Sequence, residues 1–311
     1  MREDNPKQHN IPSIEEPDNK KKESFPYKHN CLAHEKFPLR YGWLYKIVKD
    51  KPYKEKEDNI IQYGVGSNMV DSMKIWAGAF GIWYEKTGVT PLGKMIFGKN
   101  GLDRYSERDG TLWILHWNLV SNELENSTWW WAFNKFSDLS FTKKSMQLSL
   151  TKFIEEKKGK LPAESTLKGE IDCLFKTYAP SSSERKGPIE NTLESPLSEL
   201  GLIKLKSGSI EYKFEKINRK HVPRLIFYWA LAEYCEKINQ NIISLEKITY
   251  DSGSPGRIFK LDEAKVVSYL SNIGDFTKDF SWSETNIPQV IKENQDIQAI
   301  SFLEEYYKNE S

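Results

Sequence analysis

Residues 55–83, EKEDNIIQYGVGSNMVDSMKIWAGAFGIW, decide the reading of the fold. Ile60, Ile61 and Tyr63 end a short helix, and Gly64 and Gly66 allow a tight turn. Ser67 stands where a hydroxyl would cap a second helix. Within that helix Met69, Met73, Trp76 and Phe80 recur at i, i+4, i+7 and i+11, which is one buried stripe, and Gly81 closes it. Two helices across a short glycine turn form a helix-turn-helix pattern. The following residues IWYEKTGVTPLGKMIF (82–97) read as a strand, a glycine-containing turn and a short helix opened by Thr90-Pro91-Leu92-Gly93. Helix, turn, helix and hairpin, in that order, predict a winged helix.

The outward face of the second helix carries Asn68, Asp71, Lys74, Ile75 and Gly78. Where such a helix enters a major groove, Asn reads adenine and Lys reads guanine or phosphate. The candidate DNA contacts are therefore Ser67, Asn68 and Lys74 on the helix, Lys86 on the wing, and Arg40, Lys46 and Arg257 at phosphates. Asp71 opposes them, because a carboxylate repels phosphate unless a cytosine amine donates to it.

Upstream, HEKFPLRYGWLYKIVKD (34–50) places Leu39, Trp43, Leu44 and Ile47 at helical spacing, with Pro38 suited to a first turn. Residues 1–27 are polar, with four prolines, and read as a disordered tail. Downstream, 101–160 reads as a helical connecting segment. It contains the run Trp129-Trp130-Trp131 and a lysine-ended amphipathic helix over FTKKSMQLSLTKFIEEKKGK (141–160). Arg104, Arg108, Asp109 and His116 there fit a capped helix start and a hydrogen-bonded core histidine.

From 161 onward the pattern predicts a helix around LKGEIDCLFKTYAP (167–180), a polar loop SSSERKGPIE (181–190), and then a short helix ending at Gly201. A hairpin turning at Ser207-Gly208-Ser209 and a buried helix over VPRLIFYWALAEYCEKI (222–238) follow. ISLEKITY (243–250), a glycine turn and FKLDEAKVVSYLSNI (259–273) repeat the helix-turn-helix rhythm. The expected architecture is thus mainly α with small β wings (α+β): a winged helix-turn-helix domain at 28–100 and a second winged-helix-like domain at 161–311. In the loop Ser252 to Arg257 the glycines could gather backbone N–H groups around a phosphate. A tight turn with Arg257 paired to Asp262 or Glu263 is the competing and preferred expectation.

The chain has 311 residues, with 45 Lys+Arg against 44 Asp+Glu. That near-neutrality hides an asymmetry. Residues 28–100 hold 12 basic and 7 acidic side chains, whereas 101–311 hold 28 and 31. A locally basic segment points to a polyanionic partner. No apolar run approaches the roughly 18 residues of a membrane span and no signal peptide is readable, so a cytoplasmic protein with no membrane partner is expected. Three separated cysteines, Cys31, Cys173 and Cys235, give neither a disulfide framework nor a zinc cluster. No serine elbow, HExxH, CxxC pair or P-loop is present, so no catalytic, cofactor or metal residues are assigned. A DNA-nicking activity would fall to Glu170 or Asp172, or to the adjacent acids Asp262 and Glu263.

The stretches HEKFPLRYGWLYK (34–46), YGVGSNMVDSMKIWAGAFGI (63–82), TPLG (90–93), DGTLWILHWNLV (109–120), FNKF (133–136), SPLSELGLI (195–203) and SPGRIFKLDE (254–263) together resemble a bacterial family catalogued as domain of unknown function 4007. The resemblance implies a companion of DNA-modification and phage-defence clusters, beside enzymes similar to phosphoadenosine-phosphosulfate reductases that take part in DNA phosphorothioation. That family usually carries a basic residue where this chain has Ser67, which implies weaker phosphate binding at the turn. The expected function is a non-enzymatic protein that binds double-stranded DNA in such a system, alone or as a homodimer. The alternative is an adaptor that docks a sulfur-transfer or other DNA-modification enzyme through aromatic surfaces around Trp129-Trp130-Trp131.

Overall fold

The computed structural model describes residues 27–32, 34, 37–52, 56–179, 194–215 and 221–309. The tail read at 1–27 thus lies outside the described residues except for Tyr27, as does the polar loop 181–190. The chain is mainly helical, with small antiparallel sheets, an α+β architecture.

Helix α1 (Trp43–Asp50) follows Gly42, whose φ of 76° sets the chain direction. Leu39 is buried with Trp43, Leu44 and Ile47 as their spacing predicts, but it lies ahead of the helix. Pro38 therefore occupies a non-helical lead-in, and the turn at Tyr41-Gly42 starts the helix instead. Helices α2 (Lys56–Tyr63) and α3 (Ser67–Ala79) flank the turn at 64–66. Met73, Trp76 and Phe80 are wholly buried, Met69 is half-buried against them, and Gly81 takes the left-handed φ of 66° that ends the helix. A two-residue hairpin, β1 (Trp83–Tyr84) with β2 (Gly88–Val89), leads into α4 (Pro91–Phe97). Thr90 caps α4 by accepting from Gly93 N at 3.0 Å. A Cβ on Gly93 would sit 2.3 Å from the Ile82 carbonyl oxygen, so only glycine lets α4 lie against the hairpin.

Helices α5 (Asp109–Ser121) and α6 (Ser127–Asn134) form the centre of the molecule. Nearly every α5 side chain from Gly110 to Val120 is buried, the pattern of a helix surrounded by protein. Trp129, Trp130 and Trp131 are 0%, 5% and 2% exposed, so the aromatic run is core and offers no docking surface. His116 hydrogen-bonds the Tyr178 hydroxyl at 2.7 Å and the Ile258 carbonyl at 3.0 Å, as expected of a core histidine. The start of α5 is held by Asp103, which accepts from the backbone N–H groups of Glu107 and Arg108 at 2.9 Å each.

Helices α7 (Lys143–Glu156) and α8 (Glu164–Tyr178) pair on the outside of this centre. A 3₁₀ turn (Pro196–Leu200) ends at Gly201, and β3 (Ile203–Leu205) pairs with β4 (Tyr212–Phe214) around Gly208.

The C-terminal part runs α9 (Arg224–Ile238), β5 (Ile242–Ser244), α10 (Leu245–Tyr250), α11 (Pro255–Ile258), α12 (Glu263–Leu270), β6 (Phe280–Ser283), β7 (Gln289–Lys292) and α13 (Ile300–Asn309). Its sheet has the order β5-β7-β6, all antiparallel, so the last strand lies in the middle. Helix α13 packs on α9 and is tied to α5: Gly110 N donates to the Tyr306 hydroxyl at 3.0 Å, and the Thr111 and Tyr307 hydroxyls lie 2.6 Å apart.

Candidate nucleic-acid interface

Helix α3 presents Asn68 to solvent, with Ser67, Asp71, Lys74 and Ile75 half-buried beside it. Ser67 does not cap the helix. Gly66, in an extended conformation and with no side chain to accept a hydrogen bond, occupies the cap, and Ser67 is the first helical residue. The first backbone N–H groups of α3 therefore receive no side-chain oxygen from the cap residue, and no carboxylate lies in the helix's first turn. A helix start without an acid in its first turn is a setting in which anions are favoured.

The surrounding cations differ in how they are held. The Lys46 ammonium donates to the Tyr63 carbonyl at 3.1 Å, at the last residue of α2, which locks α1 to the turn. Arg40 lies 5.7 Å from the Phe37 ring centre and 5.6 Å from that of Trp43, so its guanidinium rests on aromatic faces. Lys86 projects from the hairpin tip, where Tyr84, Glu85 and Thr87 are also exposed. It follows the C-terminal end of α3, at the opposite end of that helix in sequence from Asn68.

Arg257 is placed elsewhere. It donates to the carbonyls of Asn134 at 3.0 Å and Phe136 at 3.5 Å, at the end of α6 and just past it, and among the described residues no ion pair joins it to Asp262 or Glu263. The reason is that those two acids serve α12: Asp262 caps it by accepting from Lys265 N at 2.8 Å, and Glu263 accepts from the Tyr250 hydroxyl at 3.2 Å. Ser254, fully buried, caps α11 by accepting from Arg257 N, and Gly253 N donates to the Asn134 side chain at 2.6 Å. Lys260 joins the same helix end, donating to the Phe133 carbonyl at 2.6 Å with the Phe214 ring centre 4.5 Å from its ammonium. Burial, and then the Arg257 charge, push Lys260 well below the usual lysine range, and burial lowers Arg257. The loop 252–257 is thus an interhelical joint seated on carbonyls. Pattern reading found the loop but not its partners, which lie some 120 residues away.

Glu170 and Asp172 do not form an acidic site. Glu170 is buried and lies 3.0 Å from the imidazole of His34, while Asp172 faces outward and accepts from Lys143 at 2.9 Å. Spacing of two on one helix sends the side chains to different faces. His34 also stacks on Trp76, with ring centres 6.3 Å apart. The buried pair therefore fastens the lead-in of the N-terminal unit to α8. Nothing in the sequence juxtaposes these two residues.

The family model described as a protein of unknown function (DUF4007) matches residues 32–307. Two solved structures are similar. A magnesium ion-bound crystal structure of SspB shares 27% identity, covers 90% of this chain and 88% of its own, and superposes with a TM-score of 0.80. Another SspB crystal structure shares 27%, covers 91% and 90%, and gives 0.79. No curated protein matches the chain. Among the described residues no group of three or more His, Cys, Asp or Glu side chains is placed to hold a metal ion. Among the same residues, no helix is long and apolar enough to cross a membrane.

Proposed function

Because this chain belongs to the DUF4007 family and shares its overall fold with SspB, we propose that it is a DNA-binding component of a bacterial DNA-modification system of the phosphorothioation or phage-defence type. The observation that carries the reading is α3: a helix after a glycine turn whose first turn holds no acid and presents Asn68 and Lys74 within the basic segment. Asn68 and Lys74 would address base edges, Ser67 and Lys86 the flanking backbone, and Arg40 and Lys46 would support the phosphate side. Arg257 belongs to this list only through its positive charge, since its guanidinium already serves two carbonyls.

Each end of the chain has a winged-helix-like order. The C-terminal one is the fuller: helix, strand, three helices, strand, strand, with the last strand central. Its helical face carries exposed Glu246, Asp251, Asp262 and Glu263 around Tyr250, which disfavours phosphate. That acidity supports a second role as an adaptor, the C-terminal unit docking a modification enzyme while the N-terminal unit meets double-stranded DNA.

A mobility assay on duplex DNA from about 50 to 200 mM salt tests the reading. The wild-type protein should bind at low salt and weaken steeply, and Lys74→Glu/Lys86→Glu should lose about tenfold in affinity with a shallower salt slope. Absence of low-salt binding, or indifference to the double substitution, refutes it.

A further inference from the structure

The outer face of α1 carries a feature the DNA-reading helix does not need. Tyr45 and Lys49 fall at i and i+4, one stripe along the helix. The ring of Tyr45 meets that of Tyr105 edge-on, with centres 5.4 Å apart, and the Lys49 ammonium lies 5.9 Å from the Tyr45 ring centre. Tyr105 is 52% exposed and Arg104 beside it is exposed too.

The loop that carries Tyr105 is firmly strapped. Gly101 N, Leu102 N and Asp103 N donate to the carbonyls of Gly98, Met95 and Ile96 at 2.8, 3.0 and 3.1 Å, folding the loop onto α4. A Cβ on Gly101 would lie 2.3 Å from the Ile96 carbonyl oxygen, so the strap requires glycine. Asp103 is turned inward onto two backbone N–H groups and leaves the surface to Arg104 and Tyr105. An exposed ring on a rigid loop, edge-on to a second ring and flanked by cations, loses little freedom when something stacks on it. Exposed Glu107 and the Asp50 carboxylate 3.9 Å from Lys49 moderate the charge without reversing it, given Lys94 and Lys99 nearby in the sequence.

We infer that Tyr105 and Tyr45, with Lys49 and Arg104, form a stacking platform for an unpaired stretch of nucleic acid. A base lies on the exposed Tyr105 face and the two cations hold phosphates on either side, the combination by which proteins hold single strands without reading sequence. The inference rests on nucleic acid being the ligand of this unit and is independent of α3: a base inside a duplex cannot offer its face to a ring.

Fluorescence anisotropy of the full chain with a labelled oligothymidylate, an abasic oligomer of equal length and a duplex separates the readings. Tyr105→Ala should weaken the oligothymidylate by roughly 5- to 150-fold, the loss of one base–ring stack, while Tyr105→Phe stays near wild type. Abasic and duplex affinities should barely move with either variant. Lys74→Glu/Lys86→Glu should show the reverse, losing the duplex and keeping the single strand, so failure of one reading is distinguishable from failure of the other. If Tyr105→Ala unfolds the strap, seen as a lowered melting temperature, Arg104→Glu takes its place and should weaken both single-stranded oligomers. The inference is overturned if the wild-type protein ignores oligothymidylate at low salt, or if neither base removal nor these substitutions changes its binding.

Discussion

The two ends of the chain solve one packing problem with the same local device and opposite surfaces. In the N-terminal unit a hydroxyl cap, a first-turn proline and a glycine (Thr90, Pro91, Gly93) seat α4 on the Ile82 carbonyl. In the C-terminal unit Ser254, Pro255 and Gly256 seat α11 on the backbone of Ile248 and Thr249. Sequence order and caps are alike, yet α3 begins without an acid whereas α12 begins with Asp262 and Glu263. Local rules therefore fix how helices meet; charge on the outward turn fixes what each unit can approach.

The sharpest way to break this comparison is to cut the tie between the N-terminal unit and the rest. Glu170→Ala removes the buried carboxylate facing His34 and should lower stability by about 1–3 kcal/mol in urea unfolding, as loss of one partner of a buried polar contact does. Hydrogen exchange should accelerate in α3 before it does in α9. Equal acceleration would show that the two units open together.

Similar in size, Gly93→Ala and Gly256→Ala should each destabilise by about 1–3 kcal/mol, because an added methyl meets backbone that cannot rotate away. A Cβ at Gly256 would be 2.5 Å from Thr249 Cα. Only Gly93→Ala should also weaken duplex binding, since Ile82 leads directly into the hairpin that carries Lys86. The smallest effect is a sharpening one: Glu263→Lys should raise duplex affinity about two- to fivefold at low salt and lose that gain near 0.2 M, as screened surface charge does.

The N-terminal unit was legible because its determinants are local. The stripe Met73, Trp76, Phe80, the turn glycines and the Thr90-Pro91 start all lie within 30 residues, and each obeys a spacing rule. The C-terminal sheet was not read in full. Strands Phe280–Ser283 and Gln289–Lys292 are four residues each, and the second pairs with Ile242–Ser244 some 50 residues earlier; nothing local announces such pairing. For the same reason the carbonyl seat of Arg257 and the His34–Glu170 pair escaped, while Trp129–Trp131, readable as a sticky surface, is core because α6 is enclosed on all sides. Ser67 was misplaced by one residue because a glycine can replace a side-chain cap at little loss.

The three thiols have a consequence for any sulfur chemistry around this protein. Burial pushes Cys31 and Cys235 up to about 12 and Cys173 well above its ordinary value, with the Glu170 charge adding to the rise at Cys31 and Cys173. Burial thus disfavours the thiolate at each of them, and the thiolate is the form that attacks a sulfur donor. A relay handing sulfur from protein to protein would find no nucleophile at these positions.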